Sequence, residues 1–412
     1  MMEIVQPDWV RRLNYLGAMV GGSRRLVRLE TDRLIAEACE STGLADFGEP
    51  GWEDAFRVLV DSLEADVDLH MIGRLMTRAE LLRGLRNRLL VTEACRAEPA
   101  IRHGQVIAPL LIAGQGRTGT SILFELLALD TNNRAPLAWE AASPATPPPA
   151  TLAEGITREQ IAETVNEFFY DVQPAIRAAH EYRRDLPVEC IRFMDAEFSS
   201  DWWAMLYAAW GWLKWRVEHP SDASYRWHRR VLQLLQYGRE DAPRWLLKSP
   251  AHLGNLERLL RQYPDIRIIH THRDPVRSVP STVSLSMLLR TSRANGVDAD
   301  LLGQMVVKGY GGMLRKVIEE RNGGVIPPGQ ITDVHFQDLM KDSVGTVERV
   351  YDTLGLPFTA GFADAIRDYL ANKPRDNFGK HRYAPDDYGL SKEGIREEFR
   401  FYTDHYGIAL ED

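Results

Sequence analysis

Gly114, Gly116, Arg117, Thr118, Gly119, Thr120 and Ser121 stand in one eight-residue stretch, GQGRTGTS, and their types suit an anion. Glycines let backbone N–H groups approach a ligand closely. A following helix N-terminus turns its unpaired donors and its dipole toward negative charge. The two threonine hydroxyls, the serine hydroxyl and the Arg117 guanidinium add donors, the guanidinium suiting bidentate phosphate or sulfate contacts. Gly114, Gly116 and Gly119 also spell the dinucleotide fingerprint G-x-G-x-x-G, which wants an acid about 20 residues on at a strand end. Glu140 lies near that distance, but RAPLAWEAASP does not read as a strand. Gly114 and Gly119 equally frame a phosphate loop of the kinase and ATPase type, yet Thr120 stands where that loop needs lysine.

Two further segments carry chemistry. RWLLKSP (244–250) delivers Lys248 at the end of an apolar run, and IRIIHTHRDP (266–275) delivers Arg273, with Ser281 eight residues beyond it. In parallel α/β sheets the carboxyl ends of strands form the ligand edge. An arginine there and a serine two turns into the next helix could grip one phosphate from two directions.

These residues need a scaffold. IAPLLIA (107–113) suits a central strand covered on both faces, and residues 120–130 resume a helical pattern. Strands are expected again at 244–250, at 266–275 and within 329–340, with helices between them. The alternation points to an α/β fold: a P-loop-like parallel sheet flanked by helices. Residues 24–107 read mainly as helices. One apolar stripe runs through Leu26, Leu29, Leu34 and Ile35, and another through Leu75, Leu81, Leu82, Leu85, Leu89 and Leu90. The arginines of RAELLRGLRNRLL read as a solvated face, with a partner or acceptor-binding surface as the sharper alternative. The expected division is a helical N-terminal region over 1–106 packed on the core, then an α/β domain over 107–412 with a helical insertion at about 156–240. SPATPPPATLAEG (143–155) reads as a proline-rich loop. Seven tryptophans fall between 202 and 245, and the Trp-rich stretch 202–227 reads as core, with an acceptor pocket as the sharper alternative.

Bulk composition narrows the function classes. A net charge of −8 argues against broad nucleic-acid binding, which relies on positive charge. Cys39, Cys95 and Cys190 are far apart and lack metal-ligand spacing, which suits a reducing compartment. No apolar stretch approaches a membrane span, and the N-terminus does not read as a secretory signal, so a cytoplasmic protein is expected. His270 and His272 alternate on one strand and share a face. Without a third ligand they read as hydrogen-bonded core histidines.

Taken in order, the three motifs resemble the sulfotransferases that use 3'-phosphoadenosine-5'-phosphosulfate (PAPS). That family carries a G-x-x-R/K-[ST]-G-T-[ST] loop for the 5'-phosphosulfate, matched by Gly114, Arg117, Thr118, Gly119, Thr120 and Ser121. Its strand-end arginine and the serine eight residues on, for the 3'-phosphate, are matched by Arg273 and Ser281, and its strand-end lysine near the reacting group by Lys248. The resemblance spans roughly 108–290. It extends loosely to FGKHRYAPDDYGL (378–390), where Lys380, His381 and Arg382 could touch the nucleotide phosphates. It implies PAPS as co-substrate, adenosine 3',5'-bisphosphate as product, no metal, and a small-molecule, lipid-like or carbohydrate hydroxyl as acceptor. A homo-oligomer is compatible with it. A P-loop kinase of the same fold class is the alternative.

Sulfuryl transfer needs a general base on the acceptor hydroxyl and cations on the developing charge. Lys248 and Arg117 suit the second task. Three residues could serve the first. Glu140 follows the loop's helix, as the catalytic glutamate of tyrosylprotein-type sulfotransferases does. His252 lies four residues after Lys248, where the cytosolic small-molecule enzymes space a base histidine by two. Glu189, in DLPVECIRF, starts a helical turn after Pro187. They are taken in that order, and the order stays open here.

Overall fold

The computed structural model describes residues 6–146, 156–179, 183–239, 243–373 and 383–411. Lys380, His381 and Arg382, and most of the proline-rich loop, lie outside the described residues. Five parallel strands form the sheet: β1 (Leu110–Gly114), β2 (Asn133–Arg134), β3 (Arg244–Lys248), β4 (Arg267–His272) and β5 (Ile331–His335). Their order is β2-β3-β1-β4-β5, so β1 is central between β3 and β4. Leu110 pairs in register with Leu246 and Arg267, and Ile112 with Lys248 and Ile269. This alignment sets the loop after β1, the end of β3 and the end of β4 side by side at one sheet edge.

Every residue of β1 is buried because helices cover both faces. Leu110 and Ile112 pack with Leu123, Leu127, Val347 and Tyr351. Leu111 and Ala113 face the other way, against Val231, Leu232, Leu256 and Leu259. The observed β1 starts at Leu110, three residues after the expected run, because Ala108 takes a positive φ of 40° and precedes Pro109. The expected strand at 329–340 is shorter too. It ends at His335, and helix Phe336–Lys341 follows at once. The two-residue edge strand β2 gave no sequence signal.

The N-terminal region is helical, but its first stripe is not one helix. Leu26 is exposed at the end of the short helix Ser23–Leu26, whereas Leu34 is buried in helix Thr31–Thr42. The second stripe lies on the long helix Met71–Ala97, where Leu81, Leu82, Leu85, Leu89 and Leu90 are buried and Leu75 is exposed. The arginines of this helix correct the sequence reading of a solvated face. Arg88 is buried and donates to Glu197 at 2.7 Å, Arg83 donates to Asp195 at 2.6 Å, and Arg78 to Glu37 at 2.5 Å. A buried guanidinium holds its charge only with such partners, so this helix is clamped to the insertion through ion pairs. Most of the tryptophans are core: Trp202, Trp203, Trp212, Trp227 and Trp245 are buried, whereas Trp210 is exposed.

Candidate active site

The glycine loop leaves β1 and enters helix Thr120–Leu127 through Gly119, whose φ of +88° is left-handed. A Cβ at Gly119 would come within 2.9 Å of Phe336, and one at Gly114 would collide with the Thr271 hydroxyl. Arg117 also has a positive φ, 71°, which is strained for a side-chain-bearing residue. Thr118 ties the turn down. Its hydroxyl donates to the Gln115 carbonyl at 2.7 Å and meets the Thr271 hydroxyl at 2.6 Å. The Gly116 N–H donates to the Tyr310 hydroxyl at 3.1 Å, which also meets Thr282 at 3.0 Å.

Arg117 reaches across the sheet edge and donates through Nε to the Ser281 hydroxyl at 3.0 Å. Burial pushes the Arg117 guanidinium below its ordinary range. Ser281 sits on helix Pro275–Thr291, which Asp274 caps by accepting from the Val276 N–H at 2.9 Å. Arg273 precedes that cap. Its Nη1 donates to the Arg117 carbonyl at 3.2 Å, and its guanidinium carbon lies 3.9 Å from the Phe336 ring centre. Its remaining nitrogens grip Glu411 at 2.8 and 2.9 Å. Neither Tyr310, Phe336 nor Glu411 gave a sequence signal, since each comes from a distant and unremarkable stretch.

Lys248 ends β3 with its side chain buried. Nζ donates to Glu189 at 2.5 Å and to the Ser121 hydroxyl at 3.2 Å. One ammonium thus joins the first turn of the loop's helix to a carboxylate carried by the insertion. The three lie on the wall of a cavity of about 580 Å³. Its lining joins Gly116, Arg117, Gly119, Thr120 and Arg273 of the sheet edge to the apolar Val188, Ile191, Trp202, Met205, Leu285 and Leu289, with Arg192, Asp201 and Asn255 among them. Trp202 is therefore both core and cavity wall.

The other two candidate bases lie elsewhere. Glu140 is buried in helix Ala138–Ala142 and does not line the cavity. One carboxylate oxygen accepts from Arg134 at 2.5 Å and the other from the Leu137 N–H at 3.0 Å, so it caps its own helix and neutralises an arginine. His252 is also buried away from the cavity lining, its Nδ1 3.2 Å from the Tyr225 hydroxyl. Burial pulls its pKa down to about 4.

Among the described residues, two groups bring three possible metal-ligand atoms within 4.8 Å of one another: Cys190 with His228 and His252, and His270 with His272 and Asp333. In the first, both Nδ1 atoms already meet tyrosine hydroxyls, Tyr263 at 2.7 Å and Tyr225 at 3.2 Å. In the second, Arg321 holds Asp333 through its two terminal nitrogens, at 2.6 and 2.8 Å. The expected face-sharing of His270 and His272 is present, with ring centres 4.0 Å apart. Full hydrogen bonding is not: His272 has partners on both nitrogens, whereas neither nitrogen of buried His270 has one.

Residues 109–360 match the model of the sulfotransferase family. This chain belongs to the sulfotransferase family. It is 27% identical over 275 residues to the omega-hydroxy-beta-dihydromenaquinone-9 sulfotransferase Stf3 of Mycobacterium bovis and of Mycobacterium tuberculosis, covering 64% of this chain and 67% of that protein. The fold matches sulfotransferase STF9 from Mycobacterium avium with a TM-score of 0.79 at 25% identity, over 92% of this chain and 97% of that one. It matches sulfotransferase STF1 from Mycobacterium tuberculosis with a TM-score of 0.76 at 26% identity, over 89% and 97%. The sulfotransferase is thus an enzyme of sulfate transfer rather than a kinase, which accounts for the threonine at the Walker lysine position. Among the described residues, no helix of this sulfotransferase is long and apolar enough to cross a membrane.

Proposed function

We propose that this sulfotransferase moves a sulfuryl group from PAPS to a hydroxyl of an apolar small-molecule or lipid-like acceptor, with Glu189 as general base. The observation that carries this reading is the Lys248–Glu189 pair at 2.5 Å, on the cavity wall where the anion loop meets the apolar chamber. A base must reach the proton it takes. Glu189 lines the chamber, and neither Glu140 nor His252 does.

The residues fit the donor. The loop from Gly114 to Ser121 offers backbone donors at a helix N-terminus to the 5'-phosphosulfate. Arg273 and Ser281 suit the 3'-phosphate, and the Arg117–Ser281 hydrogen bond links the two subsites. Glu189 takes the acceptor proton as the acceptor oxygen bonds sulfur. The bond from sulfur to the bridging phosphate oxygen breaks, and adenosine 3',5'-bisphosphate leaves. Lys248 and Arg117 offset the charge that develops on the transferring group and on the departing oxygen. Lys248 also holds the Glu189 carboxylate in place until the acceptor arrives.

The chamber's aliphatic and aromatic walls favour an apolar acceptor over a carbohydrate. The substrate in the relatives' name, an omega-hydroxylated menaquinone derivative, supports the same class. An assay with 35S-labelled PAPS against hydroxylated lipids, phenols, sterols and sugars tests the reading, alongside calorimetric titration with adenosine 3',5'-bisphosphate. Transfer to apolar alcohols is expected, with sugars inactive. Transfer to sugars alone would overturn the acceptor class, and failure to bind the bisphosphate would overturn the donor.

A further inference from the structure

Cys190, His228 and His252 meet in the core although they come from three separate elements. Cys190 opens the short turn Cys190–Arg192, His228 lies on helix Ala223–Gln236, and His252 lies in the turn Pro250–Asn255 that follows β3. Each is at most 1% exposed, and Cys190 is a free thiol. One possible ligand atom from each lies within 4.8 Å of the other two. None of the three lines the acceptor chamber, so the mechanism above leaves them without a task.

Their hydrogen bonds show what is missing. Nδ1 of His228 meets the Tyr263 hydroxyl at 2.7 Å, and Nδ1 of His252 meets the Tyr225 hydroxyl at 3.2 Å. A tyrosine oxygen can accept from Nδ1–H, which leaves the lone pair of each ring on Nε2. Metal-bound histidines are held in this way, through the nitrogen that does not bind. Both Nε2 atoms are buried and have no hydrogen-bond partner. A buried polar atom without a partner is costly, and here two of them belong to one cluster with a buried thiol. Packing fixes the rings: Phe193 stacks on His228 with centres 5.1 Å apart, and the two histidine rings meet edge-on at 5.5 Å. The cluster of His270, His272 and Asp333 lacks these features. Arg321 already puts a positive charge on Asp333, and both nitrogens of His272 have partners.

The donor set selects the ion. One thiolate and two imidazoles suit zinc, whereas Mg2+ and Ca2+ take oxygen. Zinc–sulfur and zinc–nitrogen bonds of about 2.3 and 2.0 Å put tetrahedral ligands roughly 3.5 Å apart, so the side chains need close by little more than an ångström. We propose that Cys190, His228 and His252 bind a zinc ion, with a water as fourth ligand. The ion replaces the Cys190 thiol proton, which passes to the buffer. Cys190 directly follows Glu189, and His252 follows Lys248 by four positions. The ion therefore fastens together the two elements that carry the Lys248–Glu189 pair, without touching the chamber. The inference does not need the catalytic reading, because zinc is measured without turnover.

The full chain, free of a histidine tag, is stripped with EDTA, incubated with Zn2+ and gel-filtered, and its zinc is measured by plasma emission. One zinc per chain is expected, with a raised melting temperature. Co2+ in its place should give thiolate-to-cobalt charge transfer in the near ultraviolet and strong tetrahedral bands in the visible. Cys190→Ser should lose the charge-transfer band and roughly a hundredfold or more in zinc affinity. Tyr263→Phe keeps all three ligands but removes the oxygen that holds His228, and should weaken zinc by about 10–100-fold; it decides the matter if Cys190→Ser does not fold. No zinc retained by the unaltered chain would overturn the proposal. Undiminished zinc affinity in either variant would overturn it too, because the ion would then sit elsewhere.

Discussion

Glu189→Gln keeps the side-chain volume and an oxygen that can accept from Lys248, but removes the proton acceptor. If Glu189 takes the acceptor proton, kcat should fall about 10²–10⁴-fold, the span that a positioned general base supplies, or roughly 3–5 kcal/mol on the barrier. Folding should lose roughly 2 kcal/mol, because the Lys248 ammonium, 3% exposed, keeps only a neutral amide oxygen and the Ser121 hydroxyl in place of its carboxylate, so kcat is read per folded molecule. Glu140→Gln is the matched control, and its cost falls on the fold. Breaking a buried ion pair costs roughly 3–5 kcal/mol when the remaining charge is stranded. Arg134 would keep the Leu235 carbonyl at 3.0 Å and the Trp245 ring at 4.2 Å. The expected destabilisation is therefore smaller, about 2 kcal/mol, with kcat per folded molecule little changed. Single-turnover transfer from labelled PAPS, paired with thermal unfolding of both variants, separates the two roles. The reasoning fails if Glu189→Gln keeps kcat within about threefold while Glu140→Gln loses about a hundredfold with an unaltered melting temperature, a pattern that returns the base to Glu140.

Two further outcomes follow from the same geometry. Gly119→Ala would force a side chain into a left-handed backbone at φ +88° and within 2.9 Å of Phe336; adenosine 3',5'-bisphosphate should bind about tenfold more weakly by calorimetry, from a strain of roughly 1–2 kcal/mol, and unchanged affinity would show that the loop's shape is not used. Acid should destabilise the chain, because burial pulls His252 down to about 4 and pushes His228 and His270 well below their ordinary value. The unfolded chain then binds more protons than the folded one, so stability is full above about pH 6.5 and falls as the pH drops toward 4, by up to about 1.4 kcal/mol per unit for each histidine. Urea unfolding at pH 7 and pH 5 reads this, and equal midpoints would refute neutral burial.

The α/β class, the strand order along the chain and the anion loop were legible because each is written in near neighbours. Leu110 to Ala113 form a continuous apolar run since both faces of β1 are covered. Gly119 is a glycine because its backbone turns left-handed at the helix entrance. Arg273 and Ser281 are spaced by one strand end and two turns of one helix, which no distant contact can alter.

Pairings across the chain were not legible in this way. The sequence ranks Glu140 first, His252 second and Glu189 third, and only packing brings Glu189 to Lys248, 59 positions away. The arginines of helix Met71–Ala97 look solvent-facing by local pattern, yet Arg88 and Arg83 are held by carboxylates more than a hundred positions on. Cys190, His228 and His252 lack any recognisable spacing and still converge. Nothing near Glu411 marks it as the partner of Arg273. The physical reason is common to all four. Backbone conformation is set by sterics and periodicity within a few residues, so the sequence by itself determined which strands and loops form and what chemistry they could host. Which charge meets which is settled when burial makes an unpaired ion too costly, and only the tertiary structure decides that.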